Sequence, residues 1–366
     1  MKFLRSILGR APASTRYRYR LIFLIASFWM VLDVLYLMAR LNISGLSEEQ
    51  NIFDYSPLRA VLLRAVIVFI MSGIMATVLL FPPPKQLEKT LIFNFTLRTI
   101  WLLLLAILMN FLIHITYSLL ILQHTFGASI GNFVQDAFST PWLLEKVPEW
   151  LLIFVLLQLV VEMIKKYSPG IFFDVLFGKY RQPIVEKRII MFIDLTDSTP
   201  IAERLGHVDY FKFIRRFINN VSAALIQHNG RIYQYVGDEI VVSWLCTPKN
   251  AKRCIDALIE TRKNLQKESE NFRRDFGIVP EFKVGIHIGE VTVGEIGIIK
   301  KDLAMSGDTM NTTARIRSAC TELNQKFIVS KDVIEELDFE DWQSESLGVV
   351  DLKGKNSGIE LFALKI

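Results

Sequence analysis

The chain contains few of the residues that build disulfide frameworks or zinc sites. Among its 366 residues are three cysteines and five histidines, and Cys246, Cys254 and Cys320 form no CxxC pair. Secreted disulfide scaffolds and structural zinc sites need such residues at higher density and closer spacing. The pattern therefore favours reduced thiols in a cytosolic domain.

The chain also lacks a strong excess of charge, internal repeats and low-complexity segments. Its formal net charge is only +5, and the positive residues cluster beside apolar runs instead of forming a basic stripe. A nucleic-acid partner is therefore not expected. Hydrophobic residues make up 51% of the chain, which is high for a soluble protein. Nearly all of the excess precedes Lys165, so the chain divides into a membrane half and a soluble half.

Four apolar runs in the first half are long enough to cross a bilayer. They are Leu21 to Leu41, Ala60 to Phe81, Thr99 to Leu122 and Val147 to Ile164. The first run follows a basic segment, residues 1–20, and has no small-residue cleavage site, so we expect it to be retained. The sequence predicts a four-helix transmembrane domain over residues 21–164.

Basic residues flank these runs unevenly. Residues 1–20, the loop 82–98 and the segment after Lys165 carry Lys and Arg, whereas the first loop is acidic. By the positive-inside rule, both termini face the cytoplasm. We expect a multi-pass protein of a bacterial inner membrane, in contact with lipid, with its soluble domain in the cytoplasm.

Three ionisable residues lie within the first three spans, at similar depths in the outer half. Asp33, Arg64 and His114 could form a ligand-binding or sensing cluster. The simpler interpretation is a structural ion pair between Asp33 and Arg64, with His114 bonded to a nearby carbonyl. Intramembrane charges pair wherever they can, so we favour the second interpretation.

Residues 165–187 connect the two halves. The segment contains an apolar stretch, Ile171 to Phe177, that is too short to span a membrane. Two interpretations remain open: a dimer-forming element that couples the membrane domain to the soluble domain, or an amphipathic connector lying on the membrane.

Two carboxylates occupy the ends of strand-like segments at the start of the soluble half. A β-branched and aromatic run ends on Asp194, and Asp238 lies at the tip of a predicted hairpin within Arg231 to Trp244. If the hairpin pairs beside the first strand, the two carboxylates lie side by side. A helix-start signal follows Asp194. Carboxylate oxygens beside a helix N-terminus suit two Mg²⁺ ions that carry a polyphosphate.

The remaining pattern in residues 188–366 predicts an α+β domain with a ferredoxin-like sheet. Charged, amphipathic Asn250 to Asn271 predicts a helix, and Phe282 to Ile296 predicts a hairpin turning at Gly289-Glu290. A helix is expected from about Gly307 to Cys320, with Asn311 and Arg315 on one face. Short strands close the domain. They are Phe327 to Val329, Gly348 to Leu352 and Ile359 to Leu364.

Four motifs in this half, in order and spacing, resemble the catalytic domain of class III nucleotidyl cyclases, and with the four spans the chain resembles the membrane-anchored bacterial type. The motifs are Phe192-Ile193-Asp194-Leu195, Tyr235-Val236-Gly237-Asp238, Val284-Gly285-Ile286-His287-Ile288-Gly289 and the segment Gly307 to Arg315. The resemblance implies a head-to-tail homodimer that converts ATP into 3′,5′-cyclic AMP and pyrophosphate, with two Mg²⁺ or Mn²⁺ ions in each active site.

The resemblance also implies a role for individual residues. One subunit would supply the metal ligands, which are Asp194, Asp238 and the backbone carbonyl of Leu195. The other subunit would supply Asn311, which orients the ribose, and Arg315, which stabilises the transition state. A lysine that holds the terminal phosphates would be Lys353 or, alternatively, Lys355.

The positions that read the base in this family depart from its usual pattern. They hold Gln234 and Ala304 here. Glutamine can face either purine, and an alanine side chain forms no hydrogen bond. ATP is favoured because adenylyl cyclases are the commonest members, with GTP second and a pyrimidine nucleotide third. A different class of function, a catalytically silent nucleotide-binding module under a membrane receptor, also remains open.

Overall fold

The computed structural model describes residues 13–43, 57–81, 90–139, 141–165, 171–299, 301–337, 344–352 and 358–366. The chain divides into two compact units, one of residues 15–166 and one that contains residues 167–366.

The first unit consists of helices. These are α1 (Ala13–Ile43), α2 (Pro57–Leu80), α3 (Leu91–Leu120), α4 (Phe126–Ser139) and α5 (Trp142–Lys165). All but α4 contain a stretch that is long and apolar enough to cross a membrane. The four predicted long apolar helices are thus confirmed, and they indicate a membrane protein.

Two details of this unit differ from the sequence-based expectation. Helix α3 begins at Leu91, about two turns before the predicted start at Thr99. Arg98, expected in a loop, is 6% exposed and donates to Glu162 of α5 at 3.0 Å. A half-buried carboxylate partner therefore allows the helix to carry an arginine in its first turns. The amphipathic helix α4 was not predicted.

The polar residues predicted inside the spans are only partly brought together. Arg64 donates from Nε and Nη2 to the two carboxylate oxygens of Asp33, both at 2.7 Å. The ion pair is therefore confirmed. His114 instead packs edge-on against Phe133 of α4, at 5.5 Å between ring centroids. Within the described ranges its Nε2 has no hydrogen-bond partner, so the predicted bond from His114 to a carbonyl is not observed at that nitrogen.

The second unit is an α+β domain. Its helices are α6 (Ile171–Leu176), α7 (Ser198–Gln227), α8 (Pro248–Lys267), α9 (Ser269–Phe276), α10 (Asp308–Glu322) and α11 (Lys331–Glu336). Its strands are β1 (Ile184–Leu195), β2 (Arg231–Val236), β3 (Glu239–Leu245), β4 (Phe282–Ile296), β5 (Asp302–Ser306), β6 (Phe327–Ser330), β7 (Ser344–Val350) and β8 (Ile359–Leu364).

The strands form one mixed sheet in the order β2-β3-β1-β4-β6-β8-β7, with β5 paired to β4. Along central β1, alternate residues face opposite sides of the sheet. Ile189, Met191 and Ile193 join the large core beneath α7 and α8. Ile190 and Phe192 join a smaller cluster that includes residues of α10. Asp194 therefore lies on the α10 side of the sheet.

The predicted hairpin at Gly289-Glu290 is wrong. β4 runs without a turn from Phe282 to Ile296, and its antiparallel pairing with β1 continues through both residues. Gly289 is required by packing, because a Cβ there would overlap the Thr309 side chain of α10. The turn comes later, between β4 and β5. The predicted helix Asn250 to Asn271 is also divided into α8 and α9.

The connector packs against the sheet of its own unit. Tyr180 is fully buried, and its hydroxyl accepts from Arg188 at 3.4 Å. Asp174 of α6 pairs with Arg231 of β2 at 3.1 Å. Part of the segment 165–187 is therefore fixed to the soluble unit before β1 begins.

Candidate functional site

The two predicted aspartates come together at one edge of the sheet. β1 and β3 pair antiparallel up to Ile193 opposite Ile240, so Asp194 and the turn that precedes β3 lie at the same end. Gly237 has a φ of 62°, a backbone conformation that glycine adopts without strain. It forms the tight turn that brings Asp238 beside Asp194, as the sequence predicted.

A third carboxylate and an arginine complete this cluster. Arg317 of α10 donates from Nη1 to Asp194 at 3.1 Å and from Nη2 to Glu239 at 2.6 Å. The three side chains are 27%, 25% and 14% exposed, respectively. Arg317 thus bridges the ends of β1 and β3 within one chain.

Close packing of α10 on β4 positions this bridge. A Cβ at Gly285 would overlap the backbone of Arg317, so only glycine lets the helix approach so near. Threonine side chains support the same contact: Thr309 donates to the Glu290 carbonyl at 2.6 Å. The glycines of the segment Val284 to Gly289 therefore seat the helix.

The carboxyl groups are held in an environment that disfavours their charge. Burial raises the pKa of Asp194, and the nearby charge of Asp238 adds to this, while Arg317 and Lys283 oppose it. Burial likewise raises the pKa of Glu239 against the opposing effect of Arg317. The single guanidinium of Arg317 therefore does not offset the effect of burial on these two carboxyl groups. Additional positive charge would stabilise their ionised form.

Tyr210 of α7 belongs to the same electrostatic environment. Burial raises the pKa of its hydroxyl, and the charges of Asp238 and Asp194 raise it further, against a hydrogen bond with Ser198. Helix α7 begins beside the carboxylates, and Asp197, which precedes it, forms no side-chain hydrogen bond to the first turn. The N–H groups there remain available to an anion.

Asn311 and Arg315 lie on α10 but not at this cluster. Successive residues of a helix are about 100° apart, so Arg315 lies about 200° around the axis from Arg317. Asn311 is exposed. Within the described ranges, no hydrogen bond or ion pair joins either residue to Asp194 or Asp238. Arg317 faces the carboxylates of its own chain, while Asn311 and Arg315 lie on other sides of the helix.

The two predicted base-reading positions lie on neighbouring segments. Gln234 is exposed on β2, and Ala304 is half-buried on β5, opposite Gly294. A hydrogen bond connects the neighbours of these two positions: the backbone N–H of Met305, which follows Ala304, donates to the hydroxyl of Tyr233, which precedes Gln234, at 3.1 Å. Lys353 and Lys355 lie outside the described residues.

The donor set suits hard divalent cations. Asp194 and Asp238 offer carboxylate oxygens in a region short of positive charge, and such oxygens are the ligands that Mg²⁺ and Mn²⁺ prefer. Within the part of the chain that the structure describes, no three His, Cys, Asp or Glu side chains form a ready-made metal site. Cations bound here would need further oxygen ligands, from backbone, water or a polyphosphate.

Sequence reasoning missed Glu239, Arg317 and Tyr210. Glu239 directly follows Asp238, so its position beside the cluster could have been expected. Arg317 was hidden because its orientation depends on how α10 is seated on β4. Tyr210 lies beyond a break in α7 at Gly206, where φ is 71° and ψ is 168°, and no local pattern identifies it.

Comparison with known proteins gives relatives for the soluble unit. Adenylate cyclase 2 of Rhizobium meliloti (strain 1021) is 30% identical over 196 residues, which are 53% of this chain and 54% of that protein. Receptor-type guanylate cyclase gcy-10 of Caenorhabditis elegans is 22% identical over 174 residues, 46% of this chain and 16% of that protein. The chain thus spans about half the length of the first relative and less of the second.

A solved structure supports the fold. A bacterial light-regulated adenylyl cyclase superposes with a TM-score of 0.54 at 16% identity, covering 63% of this chain and 67% of that one. The α+β fold inferred from the sequence is thereby confirmed.

The family model described as the adenylate and guanylate cyclase catalytic domain matches residues 182–365, which are half of the chain. The match contains both aspartates and the whole of α10. The resemblance seen in the four motifs is therefore confirmed: this chain belongs to the family of adenylate and guanylate cyclase catalytic domains.

Proposed function

We propose that this chain is a membrane-bound adenylate cyclase that converts ATP into 3′,5′-cyclic AMP and pyrophosphate. One observation carries the proposal: Asp194 and Asp238 meet at one sheet edge, whereas Asn311 and Arg315 of the same subunit face away from them. Neither half is a complete site for attack of a ribose hydroxyl on the α-phosphorus. A head-to-tail homodimer brings the two halves together.

Asp194, Asp238 and the Leu195 carbonyl would hold two Mg²⁺ or Mn²⁺ ions. When bound, such ions lower the pKa of the attacking hydroxyl and neutralise the departing pyrophosphate. The raised pKa values of Asp194 and Glu239, which additional positive charge would lower, support this assignment. The uncapped first turn of α7 offers N–H donors to the phosphates.

Arg315 of the partner subunit would donate to the phosphoryl oxygens as negative charge develops on them. Asn311, one helical turn earlier, would hydrogen-bond the ribose and hold its 3′-hydroxyl in line with the α-phosphorus. Lys353, or alternatively Lys355, would hold the terminal phosphates.

ATP is our choice of substrate, with GTP second. The first relative is named an adenylate cyclase and others are named guanylate cyclases, so family membership does not select the base. Gln234 can donate and accept, and Ala304 offers no polar atom. A site with so few polar readers rejects a wrong base weakly. We therefore expect measurable activity on GTP.

The membrane unit would hold the enzyme in a bacterial inner membrane, surrounded by lipid, with the catalytic domain in the cytoplasm and regulation through the bundle. The distribution of Lys and Arg supports this orientation. Residues 165–187 would couple the two units. The alternative, a silent nucleotide-binding module, is disfavoured because the chain keeps both aspartates and Arg315.

The test is complementation between two inactive variants. Asp238→Ala and Arg315→Ala chains, carrying different affinity tags, are co-expressed, and the doubly tagged heterodimer is isolated. Each variant alone should be inactive, and the heterodimer should regain up to half of the parent activity through its one intact site. An inactive heterodimer of confirmed stoichiometry would contradict the shared site.

A further inference from the structure

A partly enclosed cavity of about 480 Å³ lies within the membrane unit. Residues of α1, α2, α3 and α5 line it. Its volume falls within the range of small-molecule binding pockets. We refer to it as the bundle cavity.

The bundle cavity has a polar end. If the four helices alternate in direction, the C-terminal ends of α1 and α3 lie on the same side of the unit as the N-terminal ends of α2 and α5. Counting from those ends at about 1.5 Å per residue, the lining residues that carry charged, amide or phenol groups lie roughly 6 to 15 Å deep, and Ser72 lies deeper. The shallower residues are Asp33, Tyr36, Arg64, Asn110, Lys146 and Glu149.

The other end of the cavity is apolar. Met75, Leu102, Ala106 and Phe154 line it and also belong to a buried hydrophobic cluster of the unit. A molecule filling the cavity would therefore contact hydrocarbon along most of its length, the Ser72 hydroxyl apart, and charged and amide groups only at one end.

The charges at the polar end cancel in pairs. Asp33 and Arg64 are joined by two hydrogen bonds of 2.7 Å, and Lys146 donates to Glu149 at 2.7 Å. The Lys146–Glu149 pair is exposed, but a charged headgroup beside Asp33 and Arg64 would have to break their part-buried pair to find a counter-ion, which is costly. A neutral hydroxyl or carbonyl group would not.

Asn110 offers such a group a hydrogen-bond partner. Its Nδ2 donates one hydrogen to the Ala106 carbonyl at 2.9 Å, so the second Nδ2 hydrogen can donate to a ligand carbonyl and Oδ1 can accept from a ligand hydroxyl. We propose that the bundle cavity binds an uncharged amphipathic small molecule, with an aliphatic or aromatic body in the apolar end and a hydroxyl or carbonyl group beside Asn110 and the Asp33–Arg64 pair.

Photo-crosslinking of the full chain in phosphatidylcholine nanodiscs tests this proposal independently of cyclase activity. The probe is dodecan-1-ol carrying a mid-chain diazirine. The carboxylate and trimethylammonium compounds with the same chain serve as charged counterparts. Labelled residues are located by mass spectrometry, with and without excess unlabelled dodecan-1-ol.

We expect the alcohol to label cavity residues on several helices, with labelling that saturates and falls at least fivefold under competition. Both charged probes should label lipid-facing residues such as Leu104, which is 53% exposed, and spare the cavity. Equal cavity labelling by all three probes, as for lipid chains entering a gap, would overturn the proposal. So would labelling that never saturates.

Substitutions of cavity-lining residues test whether the labelling arises from binding in the bundle cavity. Met109→Trp should fill the cavity and reduce cavity labelling at least fivefold. Its neighbour Leu108 is 44% exposed and does not line the cavity, so Leu108→Trp is the matched control and should leave labelling unchanged. Asn110→Leu keeps the volume nearly constant and should abolish the preference for the alcohol over an alkane probe of equal length. Unchanged labelling in both Met109→Trp and Asn110→Leu, with the helix content retained, would contradict the assignment.

Discussion

Replacing Arg317 with alanine tests how the acidic cluster is held together. The substitution removes two charge-assisted hydrogen bonds, at 3.1 Å to Asp194 and 2.6 Å to Glu239. All three side chains are less than one-third exposed, so solvent screens the pair only partly. Leaving such carboxylates without their partner should cost about 3 kcal/mol of unfolding free energy.

The assay follows the exposure of a buried thiol. Cys320 is fully buried in the same unit as Arg317, so a maleimide reagent reaches it only when that unit opens. We expect the urea midpoint for Cys320 labelling to fall by about 1 to 3 M, given a denaturant slope of roughly 1–3 kcal/mol per molar. Arg317→Lys keeps the charge but has no planar fork to bridge both carboxylates. Its urea midpoint should therefore lie between those of the parent protein and Arg317→Ala.

A matched control and an added cation sharpen the result. Arg274 is 72% exposed, so Arg274→Ala should change the unfolding free energy by no more than about 0.5 kcal/mol. Added Mn²⁺ should stabilise Arg317→Ala more than the parent, because the carboxylates have lost their only bonded counter-ion among the described residues. An unchanged midpoint in Arg317→Ala would refute the view that the bridge stabilises this end of the sheet.

Further predictions concern the interior of the soluble unit. Glu186→Gln should destabilise it by about 3 kcal/mol in urea titrations, because Arg188 is 1% exposed and would lose its carboxylate partner. Burial opposes the charge of Glu186, but bonds from Lys179 and Arg188 outweigh it and lower its pKa. Its stabilising contribution is therefore present above the unfolded pKa and should disappear as the pH falls through the lowered folded value, whereas Glu186→Gln should show a flatter acid profile. Gly285→Ala should cost about 1–3 kcal/mol by forcing α10 away from β4, and a normal melting temperature would contradict the packing. Burial raises the pKa of Cys320 to about 12, so at pH 8 its native thiol should react at least a hundredfold more slowly with maleimide than free cysteine does.

Residue patterns with a single physical explanation were predictable. Long apolar runs at Leu21 to Leu41 and Ala60 to Phe81 correspond to helices, since only helices satisfy the backbone within a bilayer. The β-branched run that ends at Asp194, and the hairpin that carries Asp238, define their own strands and their shared edge.

Residues whose role depends on a distant contact were not predictable. A glycine at position 289 is compatible with a turn and with close packing. Only the tertiary contact between α10 and β4 distinguishes the two. The same packing of α10 on β4 directs Arg317 toward Asp194. No local sequence pattern distinguishes Arg317 from Arg315. Arg98 resembled a loop residue because its partner, Glu162, lies 64 positions away in sequence.

The most direct test of the proposed function is incubation of the purified dimer with Mn²⁺ and each of ATP, GTP, CTP and UTP in turn. Products are identified by mass, and the Asp238→Ala protein serves as the control. We predict 3′,5′-cyclic AMP as the main product, a smaller amount of cyclic GMP, and neither from the control. Absence of a cyclic nucleotide from all four incubations, in protein shown to be dimeric and to bind Mn²⁺, would contradict the assignment of this chain as a cyclase.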